Sequence, residues 1–505
     1  MNSQNVISLV NEIERSVPVA DWRIEGVQVW PLIRTRLAFA AFDESVGGGW
    51  QRGGRMKRLL RRAATVLRSL TSVAEDLARG ASRRTAASAV IVTDGVTTTR
   101  IGGSAHDVVG DPLRALLTEA GISTATWYVS HACPRPRHTP GTLLQWRLDL
   151  AQLLCAPRRM ARAKRIVLPG YDEFLAQVRA AGIPSEAVAF ERMAPLAARV
   201  AVMAERVTSW LRAASPRVVF LNCYYSLECA AIVHACRRLG IASVDVQHGV
   251  QGALHIAYGS WARVPRDGYD LLPDHFWCWS QAEANAIDAW RAGQTDRHAP
   301  IVGGNPWVDM WRDDSVPFVA AADRALALLL PPAGGCTVLV TLQWGMTDET
   351  FLAPVMDLIA ASDVAWTWIL RLHPVMRSQH ADIQRRLARR GLDRVWVDDS
   401  TKFALPTVLR RANVHLTYSS SAALEAASLG VPTAVAGPHA AEHFPELVRT
   451  GLVRHVDCSA AVPALADLAG LASTGRERPA ALKLQSADAL RRILSSQPSS
   501  RGPSD

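Results

Sequence analysis

From about residue 86 onward the chain repeats one pattern. A short apolar run rich in β-branched residues is followed by a polar or glycine-bearing break, then by a longer stretch with apolar positions three and four apart. "AVIVTDG", ending at Asp94-Gly95, reads as a strand. "DPLRALLTEAG" reads as a helix with Pro112 near its start and Gly121 at its end, and "STATWYVS" as the next strand. Further on come a helix around Met193 to Ala213, the strand "RVVFLN", the helix "SLECAAIVHACRRLG" and the strand "ASVDVQ". After "IVGGNPWVD" the alternation restarts with "CTVLVTLQ", "ETFLAPVMDLIAAS", "AWTWILRL", "HADIQRRLARRG", "RVWVDD", "FALPTVLRRA", "NVHLTYS", "SAALEAASLG" and "PTAVAG". Strands alternating with helices at this spacing predict parallel βαβ units. A chain of 505 residues is too long for one core. The expectation is an α/β protein with two Rossmann-like domains facing a central cleft.

The predicted divisions are an N-terminal helical extension over 1–85, a first domain over 86–305, a second over 306–472, and a C-terminal helix with a Ser/Pro-rich tail over 473–505. The start "MNSQNVISLVNEIERS" carries Glu12 and Glu14 and lacks a basic start before an apolar core, so it does not read as a secretory signal. "RMKRLLRRAATVLRSLTSVAEDLARG", from Arg55, sets Met56, Leu59, Leu60, Ala63, Val66, Leu67, Leu70 and Leu77 on one helical stripe with arginines elsewhere. Such a helix suits the headgroup region of an anionic inner-membrane surface, and equally a packed helix with a solvated basic face. The uncharged stretch from Ala325 is broken by Pro331-Pro332 and Gly334-Gly335, and reads as helix end, loop and strand.

Composition narrows the setting more than the chemistry. Hydrophobic residues at 49% and charged residues at 20% belong to an ordinary folded chain, and a formal charge of +10 favours an anionic partner. The basic residues are dispersed or gathered on one helix without interleaved aromatics, which argues against nucleic acid. The eight cysteines contain no CxxC pair, which suits a cytoplasmic protein with no structural zinc.

Open parallel sheets bind ligands at the carboxyl ends of their strands, so the residues just past each strand carry the functional reading. There lie Asp94-Gly95, the stretch Gln247-His248-Gly249, Arg371 with His373-Pro374, and Ser419, Ser420 and Ser421 followed by Glu425. The serines sit where a strand becomes a helix, so hydroxyls and helix-terminal amides could converge on an anion; the plain alternative is an N-cap with a first-turn acid. His373 could donate to a phosphate oxygen with Arg371 adding positive charge, whereas a lone His-Pro is ordinarily a turn. Gly303, Gly304 and Asn305 suit an interdomain hinge as well as donor contact.

In their order, "QHG", "HP" and "SS" with a following Glu before "GVP" resemble bacterial capsule and surface-polysaccharide glycosyltransferases of the GT-B fold, with Kdo transferases and sialyltransferases nearest by pattern; "DG" and "SAHDVVGDPLRALL" resemble that group as well. The likeness runs from about Val90 to Leu452. It implies that His373, Pro374, Ser419, Ser420 and Ser421 bind the donor phosphate, with Glu425 on the ribose, and that neither metal nor cofactor is needed beyond the nucleotide-sugar substrate. The implied activity moves a sugar, CMP-linked by the resemblance, to a glycan or glycolipid acceptor. The base from the first half is Asp94 or His248; a retaining enzyme would draw attention to Asp94 or Asp245 as a carboxylate nucleophile. The rival readings are a CDP-alditol phosphotransferase of the teichoic-acid type and a non-transferring, epimerase-like nucleotide-sugar protein.

Overall fold

The β-branched runs form the centres of two parallel sheets. The computed structural model describes residues 3–42, 86–95, 97–131, 133–330, 335–343, 348–471 and 479–495. The basic segment from Arg55 and the tail beyond Ser495 lie outside the described residues. The first sheet contains β1 (Ala89–Thr93), β2 (Thr124–Tyr128), β3 (Thr142–Leu143), β4 (Val218–Leu221), β5 (Ala242–Val246), β6 (His275–Cys278) and β7 (Ala299–Val302), in the order β7-β6-β5-β4-β1-β2-β3. The second contains β8 (Thr337–Thr341), β9 (Thr367–Arg371), β10 (Val395–Asp398), β11 (Val414–Thr417), β12 (Thr433–Val435) and β13 (Val453–His455), in the order β10-β9-β8-β11-β12-β13.

Every pairing within the two sheets is parallel. The central strands β1, β4, β5, β8 and β11 are buried along their whole length, as strands covered on both faces must be. Each sheet grows outward from its first strand, then reverses and grows the other way from its fourth. The reversal leaves a crevice at the carboxyl ends, between β1 and β4 in one sheet and between β8 and β11 in the other. The two-domain α/β expectation holds, with "HFWC" and "VRH" as strands without a run of β-branched residues that were not foreseen.

The first forty residues depart from the expected appendage. Helices α1 (Ser3–Ser16) and α2 (Trp30–Phe42), with a hairpin of Arg23–Ile24 and Val27–Gln28 between them, bury Val6, Val10, Ile13, Trp22 and Trp30 in one apolar cluster with Leu211, Tyr258 and Trp261 of the first domain. Glu14 is fully buried, 3.0 Å from Arg34 Nε, and accepts from Trp30 Nε1 at 2.9 Å; Arg34 lies over the Trp261 ring at 4.0 Å. A buried ion pair is tolerated only with such satisfaction.

Around the first sheet, α3 (Gly110–Glu119) follows the hairpin formed by Thr98–Ile101 and Ser104–Asp107, and α4 (Leu227–Leu239) leads into β5. Helix α4 begins where Ser226 Oγ accepts from Cys229 N at 3.2 Å and ends at Gly240 in the left-handed region. In the second domain α5 (Ala422–Ser428) follows β11. The chain then returns: α6 (Pro479–Ser495) places Ala489, Leu490 and Ile493 against Ala89, Val218 and Ala242 of the first sheet. Ser486 Oγ donates to Gly303 O at 2.6 Å, so the last described helix is tied to the segment that follows β7. Among the described residues no helix is long and apolar enough to cross a membrane.

Candidate active site between the two sheets

On the first rim, Asp94 follows β1 and Gly95 turns the chain with φ +78°, its Cα so close to Cys133 that a Cβ would stand 2.7 Å from that residue's Cα. Across the crevice β5 ends in Gln247, whose Oε1 accepts from Trp279 N at 2.6 Å and whose Nε2 donates to Gly249 O at 2.8 Å. Gln247 is thereby the brace of the loop that carries His248. His248 Nδ1 is buried and makes no hydrogen bond. Burial pushes the His248 pKa below the usual histidine value, while the charge of Asp94 and the Val246 backbone pull it upward. The Asp94 charge thus acts on the imidazole, which burial holds neutral near pH 7.

Asp245 does not face the cleft. It is fully buried inside β5, accepts from Tyr224 N and Tyr258 Oη at 2.9 Å each, and burial raises its pKa to about 8. Inside the strand it could face the core or the cleft, and its burial with two donors makes it a hydrogen-bonded anchor of the core.

On the second rim the crevice between β8 and β11 is spanned by Gln343, whose Oε1 accepts from Ser419 N at 2.6 Å and whose Nε2 lies 3.4 Å from Ser419 Oγ. Ser420 Oγ accepts from Ala422 N at 3.2 Å, and the next amides donate to Ser420 O and Ser421 O. The first-turn amides are engaged within the turn, so the serine hydroxyls, rather than the helix end, are the groups on offer. His373 is exposed; its Nδ1 accepts from Val375 N at 3.3 Å, starting the 3₁₀ turn Pro374–Gln379. That bond places the neutral ring's proton on Nε2, the right side for donating to an anion. Partial desolvation of the ring and the Arg377 charge lower the His373 pKa.

Arg371 does not have the expected freedom. It is 9% exposed, its Nη1 pairs with Asp398 Oδ2 and its Nη2 donates to Phe403 O at 3.0 Å. As the last residue of β9, with Asp398 beside it as the last residue of β10, it is neutralised within the sheet rather than presented to a phosphate. Gly303 and Gly304 are likewise structural: a Cβ on Gly303 would fall 2.0 Å from Trp277 Cε2, and Gly304 O accepts from Trp277 Nε1 at 2.9 Å. Asn305 starts the following helix, its Oδ1 accepting from Val308 N at 3.3 Å.

The two rims meet. A Cβ built on Gly249 would stand 3.8 Å from Ser421 Oγ, so the loop after β5 lies close to the serine turn of the other domain. Gln247, His248, Asn305 and Glu425 line one small compartment of about 40 Å³, closed by Val108, Val109, Leu113, Trp277 and Trp307. Burial pushes the Glu425 carboxyl up to about 7, with the Arg371 charge opposing the rise. Trp279 lines this compartment and also a cavity of about 780 Å³, which runs between the domains past Leu254, Glu283, Arg312, Leu424, His443 and Phe444. A volume of that order suits a substrate of nucleotide-sugar size. Gln343 and Trp279 were not picked out from the sequence; they stand two residues and one residue past a strand, the signal that selected the other candidates.

No protein-family model matches the chain, and no curated protein matches it. Solved structures do resemble its overall arrangement. The UDP-GlcNAc 2-epimerase of Neisseria meningitidis, bound to UDP-GlcNAc, aligns at 14% identity over 81% of this chain and 99% of its own, with a TM-score of 0.47. The UDP-GlcNAc 2-epimerase of Methanocaldococcus jannaschii gives 12%, 81%, 99% and 0.47. The glycosyltransferase of kitacinnamycin gives 14%, 80%, 94% and 0.39. UDP-GlcNAc 2-epimerases recur among these neighbours. Likeness of this degree does not carry a reaction from one chain to another.

Proposed function

We propose that this chain is an enzyme of a nucleotide-linked sugar, bound across the cleft, and that it transfers the sugar to an acceptor hydroxyl. The observation that supports this most is the shared compartment: His248 from the first domain and Glu425 from the second face one space, with Gly249 against Ser421 beside it. His248 takes the acceptor's proton as the acceptor oxygen attacks the anomeric carbon and the bond from that carbon to the donor phosphate breaks. Asp94 stabilises the imidazolium so formed, and the departing phosphate is met by Ser419, Ser421 and His373. Glu425 orients the donor through hydrogen bonds to sugar or ribose hydroxyls. The cytidine-linked donor and the glycan or glycolipid acceptor follow from the sequence resemblance.

A second reading has its own support. Two titratable side chains opposed around one small compartment also suit an epimerase-like enzyme, which moves a proton at the sugar and needs no acceptor. A panel of CMP-, UDP- and CDP-linked donors, with and without a glycan acceptor, separates the readings. Acceptor-dependent nucleotide release, lost in His248→Ala, is expected. A changed sugar on an intact nucleotide, formed without acceptor, would replace transfer by epimerisation. Absence of binding by any member of the panel would sink both.

A further inference from the structure

Away from the cleft residues, the hairpin that precedes α3 brings together a set of metal-ligating side chains. Its second strand, Ser104–Asp107, is extended by the loop around Pro136: Ala105 N donates to Pro136 O and His138 N to Ala105 O, both at 2.8 Å. This pairing sets the rings of His106 and His138 face to face, centroids 3.8 Å apart. His106 Nδ1 is 3.7 Å from Asp111 Oδ2, and one ligand atom from each of His106, Asp111 and His138 lies within 4.8 Å of the others. Asp111 is held in place from behind by Thr139 Oγ1 at 2.5 Å and Asp107 N at 3.0 Å. A carboxylate has about four lone-pair positions, so two such bonds leave capacity for a cation. Outer hydrogen bonds of this kind orient ligating groups in metal sites.

We propose that His106, Asp111 and His138 bind one divalent transition-metal ion. Two imidazoles and a carboxylate are a set taken by zinc and its neighbours, with ligand bonds of roughly 2.0–2.2 Å and a fourth position left to water. A donor separation of 3.7 Å is spanned by one ion at that bond length. His138 is on the exposed side, where its ring has room to reorient toward the ion. The ion ties the hairpin to the loop and to the start of α3. Ile101 and Val108 of this region pack on the apolar cluster of Trp307, Val308 and Phe403, and Val108, Val109 and Leu113 wall the compartment of His248 and Glu425. The metal therefore fixes one wall of the cleft without entering it, and the proposal does not depend on the reaction assigned there.

Full-length protein stripped with chelator and titrated with zinc at pH 7.5 tests this by calorimetry and thermal unfolding. One equivalent is expected to bind, with a rise in melting temperature. His138→Ala, an exposed site that leaves the core intact, is expected to weaken binding at least tenfold, and His439→Ala, in a surface pair with Glu442, to leave it unchanged. Cobalt in place of zinc gives a visible spectrum that disappears in His138→Ala. No zinc uptake by the wild type, or equal affinity in His138→Ala, overturns the proposal.

Discussion

Replacing Arg371 by Ala removes a guanidinium that is 9% exposed and leaves the carboxylate of Asp398, 2% exposed, without its cation. Phe403 O loses a donor in the same step. Breaking a buried pair from one side costs about 3–5 kcal/mol, because the surviving charge stays desolvated. At roughly 2–4 °C per kcal/mol for a domain of this size, the melting temperature of the second domain should fall by roughly 10 °C. The double variant Arg371→Met/Asp398→Asn removes both charges while keeping an oxygen for Ser400 N, which donates to Asp398 at 3.0 Å. It should regain at least half of the loss. Thermal and urea unfolding measure both. An Arg371→Ala protein that melts like wild type but no longer binds the donor would refute the structural role and return Arg371 to the phosphate.

Three further changes have defined outcomes. Gly303→Ala drives a methyl into Trp277, and overpacking of this kind should cost about 1–3 kcal/mol in thermal unfolding. Tyr258→Phe takes one of two donors from buried Asp245 and should lower stability by about 1–3 kcal/mol, with no change in donor affinity. Glu425 has a folded pKa raised from 4.5 to about 7, so the folded state holds a proton that the unfolded state has lost. Its contribution to stability is thus greatest below pH 4.5 and declines as pH rises to about 7. The difference in melting temperature between wild type and Glu425→Gln, followed from pH 4.5 to 8, should change in that sense, and a flat difference would contradict the burial of this carboxyl.

The alternation of apolar runs and amphipathic stretches was enough to place the strands at "AVIVT", "SVDV", "TVLVT" and "VHLT" and to divide the chain into two halves, because burial on both faces demands continuous apolar residues. The rule that ligands gather at carboxyl ends pointed to His248, Ser421 and Glu425, and the structure sets His248 and Glu425 on one compartment with Ser421 near Gly249. Their meeting was not legible, since Gly249 comes near Ser421 only when the two sheets face each other. The same limit hid the fate of the charges. Arg371 sits at a strand end like His373, yet Asp398 on the adjacent strand pairs with it, and nothing in the local sequence registers a partner 27 residues on. Residues 3–42 looked like an appendage because their apolar positions have no partner nearby in sequence; Leu211, Tyr258 and Trp261 supply it. Periodicity is a local consequence of burial and survives in the sequence. Which buried or charged groups face one another depends on strand order and domain closure, and those exist only in the folded chain.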